Sequence, residues 1–112
     1  MFGFQRLDAY KVAVTFLGLA SKLPAKIPRG HGELTDQLRR AALSIPLNIA
    51  EGSGKFNKDA ARFYAIARGS ALECAAILDA FEAMDLLDPA ALRNARDLLE
   101  RVVSMLTGLI RP

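Results

Sequence analysis

The chain has 112 residues, 52% of them hydrophobic, which is enough for one domain with its own core. Its single cysteine, Cys74, excludes an internal disulfide framework, and its single histidine, His31, excludes most His-based metal sites. The net charge of +3 is a modest excess that does not by itself mark a polyanion-binding protein.

Alanine and leucine dominate, β-branched and aromatic residues are sparse, and no stretch alternates with a period of two. Helices are expected throughout. Arg6, Asp8 and Lys11 interrupt the N-terminus before any apolar run, so no signal peptide is expected. The longest uncharged runs, Val12 to Ser21 and Val102 to Ile110, are shorter than the roughly 20 residues of a membrane span. The reading is a single soluble, cytoplasmic domain over residues 1–112, with no membrane partner.

A first helix is predicted over residues 7–23. It carries two apolar stripes, Tyr10, Ala13, Val14, Leu17 and Ala20 beside Ala9, Val12, Phe16, Leu19 and Leu23. A surface helix normally buries one such face, so the surplus suggests a face kept for another subunit. Pro24 and Pro28 end this helix, and the loop to Gly32 carries Lys26, Arg29 and His31. Thr35 is the expected N-cap of a second helix over residues 36–54, with Asp36 near the positive end of its dipole. Leu38, Ala41, Ala42, Ile45 and Ile49 form its buried stripe. Pro46 lies inside it and removes one backbone hydrogen bond, at a typical cost of ~3 kcal/mol. The stripe keeps its register across the proline, so one kinked helix is expected rather than two. Gly52 to Gly54 supply a glycine for a left-handed C-cap.

Asn57 or an adjacent residue is placed to cap a third helix over residues 58–86. Phe63, Ile66, Ala67, Ser70, Cys74, Ile77, Leu78, Phe81 and Met84 make its stripe. Asp88 before Pro89 is a strong start signal, aspartate at the cap and proline at the first helical position. The fourth helix follows over residues 89–110, burying Leu92, Ala95, Leu98, Leu99, Val102, Leu106 and Leu109. Short connections between four helices predict an all-α, antiparallel up-and-down four-helix bundle.

A polar stripe, Gln37, Arg40, Ser44, Asn48 and Glu51, runs beside the apolar one on the second helix. In a tight antiparallel hairpin, facing residues have nearly constant number sums. Glu51 then meets Arg62, Ser44 meets Gly69 or Ser70, and Arg40 meets Glu73. The expectation is a structural stripe of Arg40, Ser44, Asn48, Glu51 and Glu73, with Arg40–Glu73 and Glu51–Arg62 as partly buried ion pairs that fix register.

The same groups could line an acid/base pocket, with Arg40 and Arg62 holding an anion. No nucleophile–base pair, metal-ligand spacing or cofactor motif supports that. GSGK at Gly52 to Lys55 is not a phosphate loop, because Ile49 stands where its first glycine belongs and Phe56 follows the lysine. Cys74 lies in an apolar run and reads as a packed thiol. No catalytic residue, no cofactor and no metal site is expected.

Through Arg68 the chain carries eleven Lys/Arg against five Asp/Glu, and from Gly69 onward four against seven. This asymmetry fits an anionic partner, or halves of opposite charge that face each other within a bundle or between subunits. Arg39 and Arg68 lie off the paired stripe and are candidates for an external anion. Lys55, Lys58 and Arg62 form a basic patch near one end. The chain has no recognised nucleic-acid-reading motif and few aromatics to stack bases, so base-specific readout is not expected.

QLRRAALSIPLNIAEGSGK, followed by KDAARFYAIARGSALECAAILD, resembles the four-helix-bundle family that includes proteins encoded within intervening sequences of bacterial 23S rRNA genes. The similarity extends from LDAYKVAVTFLGLASKLP through the last helix and is strongest from Gln37 to Glu73. SIPLNIAEG with the later RF, ARGSA and E is specific as a set. The resemblance implies an antiparallel bundle assembled as a ring, usually a homopentamer, with a role in binding nucleic acid. A more distant relative is the accessory variability protein of diversity-generating retroelements, a basic pentamer that binds a reverse transcriptase and its RNA template. Arg39, Arg40, Asn48, Glu51, Gly52, Arg62, Arg68 and Glu73 fall on the family's motif positions.

The functional expectation is a non-catalytic homo-oligomer that binds RNA or DNA, its weak phosphate contacts repeated around the ring. The alternative is a scaffold that docks a protein partner on that ring. The acidic stretch from Glu73 to Asp88 and the surplus apolar surface of helix one would serve it equally well.

Overall fold

The computed structural model describes residues 2–111. Among them it places four α-helices, α1 (Asp8–Lys22), α2 (Gly32–Ser53), α3 (Asn57–Ala83) and α4 (Pro89–Ile110), with 3-10 turns at Gly3–Arg6 and Leu23–Lys26. Each helix packs on its neighbours in sequence and α1 closes against α4, so the four stand at the corners of a square. Side-chain contacts give the directions. Ser44 meets Ser70 and Gly52 meets Tyr64 across α2 and α3, while Arg68 meets Thr107 and Arg96 meets Asp79 across α3 and α4. Numbers rise on one helix as they fall on the other, as in antiparallel neighbours.

The core is built from one stripe per helix. Phe16 of α1, Ile45 and Ile49 of α2, Leu78 and Phe81 of α3, and Leu99 and Leu106 of α4 are all fully enclosed. Each such side chain contributes ~1.5–3 kcal/mol by leaving water. The predicted stripe of α2 is buried at every position. α2 also runs unbroken through Pro46, which is itself buried. Asn48 supports the turn that follows, its Nδ2 donating to the Ser44 carbonyl at 2.8 Å.

Helix ends differ from expectation where capping does. α2 begins at Gly32, not beside Thr35; Thr35 is buried inside its first turns, and its hydroxyl donates to the Gly32 carbonyl at 3.0 Å. Gly54 caps the other end at φ −90°, so the left-handed glycine is not used there; Asn57, at φ 53°, takes that conformation in the turn. Nor does Asn57 cap α3. The N-cap is Phe56, which offers no side-chain hydrogen bond.

α3 stops at Ala83 rather than at residue 86. Asp85 sits at φ 57°, the Leu86 N–H donates to the Phe81 carbonyl at 2.8 Å and the Asp85 N–H to the Glu82 carbonyl at 3.0 Å. That is a Schellman ending with aspartate where glycine is usual. At α4 the start is as predicted: Asp88 Oδ1 accepts from the Ala91 N–H at 2.8 Å, with Pro89 at the first position.

The surplus apolar face of α1 is mostly absorbed by its own bundle. Ala9, Val12, Ala13, Phe16, Ala20 and Leu23 are buried, and Tyr10, Leu17 and Leu19 are half-buried. Only Val14 of the two stripes is exposed, because α1 packs against both α2 and α4 and buries a wider face than one stripe. Large exposed aliphatics lie instead on α2 and α3, at Leu43, Leu47, Ile66 and Leu72, and at Leu109 of α4, which was expected on its buried face.

Candidate functional site

The seam between α2 and α3 carries the polar stripe, and its middle forms as expected. Ser44 Oγ and Ser70 Oγ share a hydrogen bond of 2.8 Å, and Asn48 Nδ2 donates to Ser44 Oγ at 3.0 Å. These groups are half-buried, where an unpaired hydroxyl or amide would cost ~1–3 kcal/mol. Every donor–acceptor link here joins neutral groups of short reach, so two helices approach closely without desolvating a charge.

The two ion pairs do not form. Arg40, Glu73, Glu51 and Arg62 are all exposed, and none is bridged to its expected partner. Glu51 instead approaches Lys55 on its own helix at 3.8 Å, and Arg62 lies over the Phe63 ring with its Cζ 4.7 Å from the centroid. The reason is reach. A long side chain at the edge of a tight hairpin extends into water, and nothing in the seam offsets the desolvation that a buried pair would cost.

Gly52 has a packing role that is absent from the serine pair. A Cβ there would stand 2.8 Å from Tyr64 Cε1 and 3.1 Å from Phe63 Cβ, so only glycine lets α3 lie this close to the end of α2. The turn that follows, Gly54 to Phe56, is held by the Lys55 N–H donating to the Gly52 carbonyl at 3.0 Å. Phe63 is thereby presented beside the turn, with Lys55 Nζ 5.8 Å from its centroid on the approach to the same ring as Arg62.

The five cations expected to meet an anion divide into three places. Lys55, Lys58 and Arg62 share the α2–α3 end of the bundle, all exposed. Arg39 lies sixteen residues earlier on α2, roughly 24 Å along the axis, and pairs with Asp36 at 3.2 Å. Arg68 faces α4, half-buried, with its Nε donating to Thr107 Oγ1 at 2.9 Å. Two residues that sequence reasoning passed over join the first group. Phe56, at the turn itself, is 84% exposed, and Arg111 lines a cleft of about 570 Å³ with Asn57, Lys58 and Ala61. The signal for Phe56 was present in KFNK: an aromatic outside either helical stripe and flanked by lysines.

Other chemistry is accounted for by the fold. Cys74 is fully enclosed, and burial, aided by the Glu73 charge, pushes its thiol up to about 12. Arg96 bridges α4 to α3, with Nη2 2.7 Å from Asp79 Oδ1 and 3.1 Å from Glu82 Oε1. Among the described residues no three His, Cys, Asp or Glu side chains are grouped to hold a metal, and no helix is long and apolar enough to cross a membrane.

No curated protein matches the sequence. The sequence model of the 23S rRNA-intervening sequence protein matches residues 5–108, from before α1 to the last turn of α4, and the chain belongs to that family.

Proposed function

We propose that this protein is a non-catalytic, homo-oligomeric RNA-binding factor that engages phosphates at the α2–α3 end of its bundle. The observation that carries the reading is the grouping of Lys55, Lys58, Arg62 and Arg111 at that end, where the carboxylates Glu51, Asp59 and Asp8 are fewer. The family resemblance, which implies a role in binding nucleic acid, supports the reading.

Assembly supplies the rest of the affinity. One copy presents a few exposed cations, each a weak phosphate contact, and a ring of copies raises their effective concentration. The exposed Leu43 and Leu47 on the outer side of α2, the latter 58% accessible, support an oligomer, and the family resemblance favours five copies. Retention of RNA on a filter across a salt series, with solution mass measured on the same sample, tests the proposal. Retention at low ionic strength that falls with salt, by an oligomer, is expected; no retention, or retention indifferent to salt, refutes it.

A protein-docking scaffold is the second reading. The shallow groove of about 380 Å³ between α3 and α4, lined by Leu72, Ala75, Leu99 and Val103, favours it. Capture of a partner that survives nuclease treatment would separate it from the first.

A further inference from the structure

Phe56 gives the fold nothing that a smaller polar residue would not supply better. It is 84% exposed, the most accessible of the large apolar side chains among the described residues. It also occupies the N-cap of α3, where Ser, Thr, Asp or Asn would accept a backbone hydrogen bond, and it makes no such bond. Its backbone is extended, at φ −121° and ψ 147°, and the next residue, Asn57, is left-handed at φ 53°. The ring stands outward at the tip of the α2–α3 hairpin. Phe56 therefore bears two local costs, an exposed aromatic and a missing cap, beside a left-handed Asn57.

Its neighbours along the chain are cationic. Lys55 precedes it, Lys58 follows two residues later, and Arg62 lies one turn further along α3. Glu51 is engaged with Lys55 at 3.8 Å, and Asp59 sits in the first turn of α3 near the positive end of its dipole. Beside the tip, the cleft between the start of α3 and the end of α4 is lined by Asn57, Lys58 and Arg111 together with apolar Leu109 and Ile110. No carboxylate lines it among the described residues. At about 570 Å³ it falls within the size range of small-ligand clefts.

We propose that Phe56 is a stacking platform for an unpaired nucleotide, with Lys55, Lys58 and Arg62 on the flanking phosphates, so that the protein takes single-stranded rather than duplex RNA. The inference rests on the RNA-binding reading and narrows it. An aromatic face accepts any base, but only a base released from pairing can reach it, whereas lysines alone would hold either form.

The test measures binding of one RNA sequence, single-stranded and as a duplex, with 2-aminopurine placed in the strand, to the wild type, Phe56→Ala and Phe56→Tyr. Circular dichroism and solution mass on each protein report fold and assembly. Expected are a preference of the wild type for the single strand, aminopurine quenching on binding, and single-strand affinity roughly 5- to 150-fold weaker in Phe56→Ala. Quenching is lost in that variant, its salt dependence is unchanged, and Phe56→Tyr restores both affinity and quenching. RNA binding that ignores Phe56→Ala, or that favours the duplex, overturns the platform while the RNA-binding reading stands. A Phe56→Ala protein that loses its oligomeric mass yet keeps its RNA affinity assigns the ring to a subunit contact and also overturns it. If the wild type retains neither form of RNA, both readings fall together.

Discussion

Ser44 and Ser70 place their hydroxyl oxygens 2.8 Å apart across the α2–α3 seam, twenty-six residues apart in the chain. Asn48 donates to the same Ser44 oxygen, so three short polar groups fix how α2 lies against α3. The register of the hairpin thus depends on neutral hydrogen bonds rather than on charge. A double-mutant cycle of Ser44→Ala and Ser70→Ala is expected to show coupling of about 0.5–1.5 kcal/mol. The same cycle on Arg40 and Glu73 is expected to give coupling near zero, since both side chains are exposed and unbridged.

Gly52→Ala is expected to destabilise the bundle by about 1–3 kcal/mol, because the new methyl would meet the Tyr64 ring at 2.8 Å. Gly54→Ala serves as the control. Its nearest neighbour is the Glu51 carbonyl oxygen at 3.6 Å and its φ is −90°, so chemical denaturation should show no loss and a gain of up to ~1 kcal/mol.

Cys74 supplies a pH dependence with a definite sign. Burial first, then the Glu73 charge, raises the thiol from its ordinary 9.0 to about 12. The folded protein keeps a proton that the unfolded chain releases above 9.0, so the stability linked to this group is intact below that pH and is lost as pH rises towards about 12. Denaturation midpoints of the wild type and of Cys74→Ala, measured from pH 8 upward, are expected to differ by an amount that changes across this window. A thiol reagent at neutral pH should label Cys74 only after unfolding.

How much of this was legible in the sequence depended on the reach of the interaction. Apolar residues at three- and four-residue steps revealed all four helices, and Asp88 with Pro89 marked the start of α4. The constant-sum rule placed Ser44 against Gly69 or Ser70, and Ser70 is the one it meets, because short side chains must meet whatever faces them. It misplaced Arg40, Glu73, Glu51 and Arg62, since backbone register does not decide whether a long side chain stays in a seam or leaves it for water. The ends of α2 and α3 were missed for a local reason. His31 and Phe56 start helices without a side-chain cap, and Asp85 ends α3 in a conformation that sequence reading reserves for glycine. Phe56 was overlooked as a turn residue, because its exposure becomes apparent only when both helices are in place.

Arg96 offers a further check on the outer surface. Its guanidinium joins Asp79 and Glu82, exposed carboxylates on α3. Arg96→Ala is expected to lower the denaturation midpoint slightly at low salt and less at high salt, as read in the two buffers. RNA affinity should not fall in this variant, because Arg96 lies far along α4 from the basic tip.

The central claim is that RNA phosphates meet the α2–α3 end of the bundle. The most direct test is the slope of log affinity against log salt for single-stranded RNA. It compares the wild type with a Lys55→Ala/Lys58→Ala/Arg62→Ala variant and with Arg39→Ala, each confirmed folded. A shallower slope, lower by roughly 0.7 for each lost phosphate contact, is expected in the triple variant alone. An unchanged slope in the triple variant, or an equal drop in Arg39→Ala, would contradict the claim.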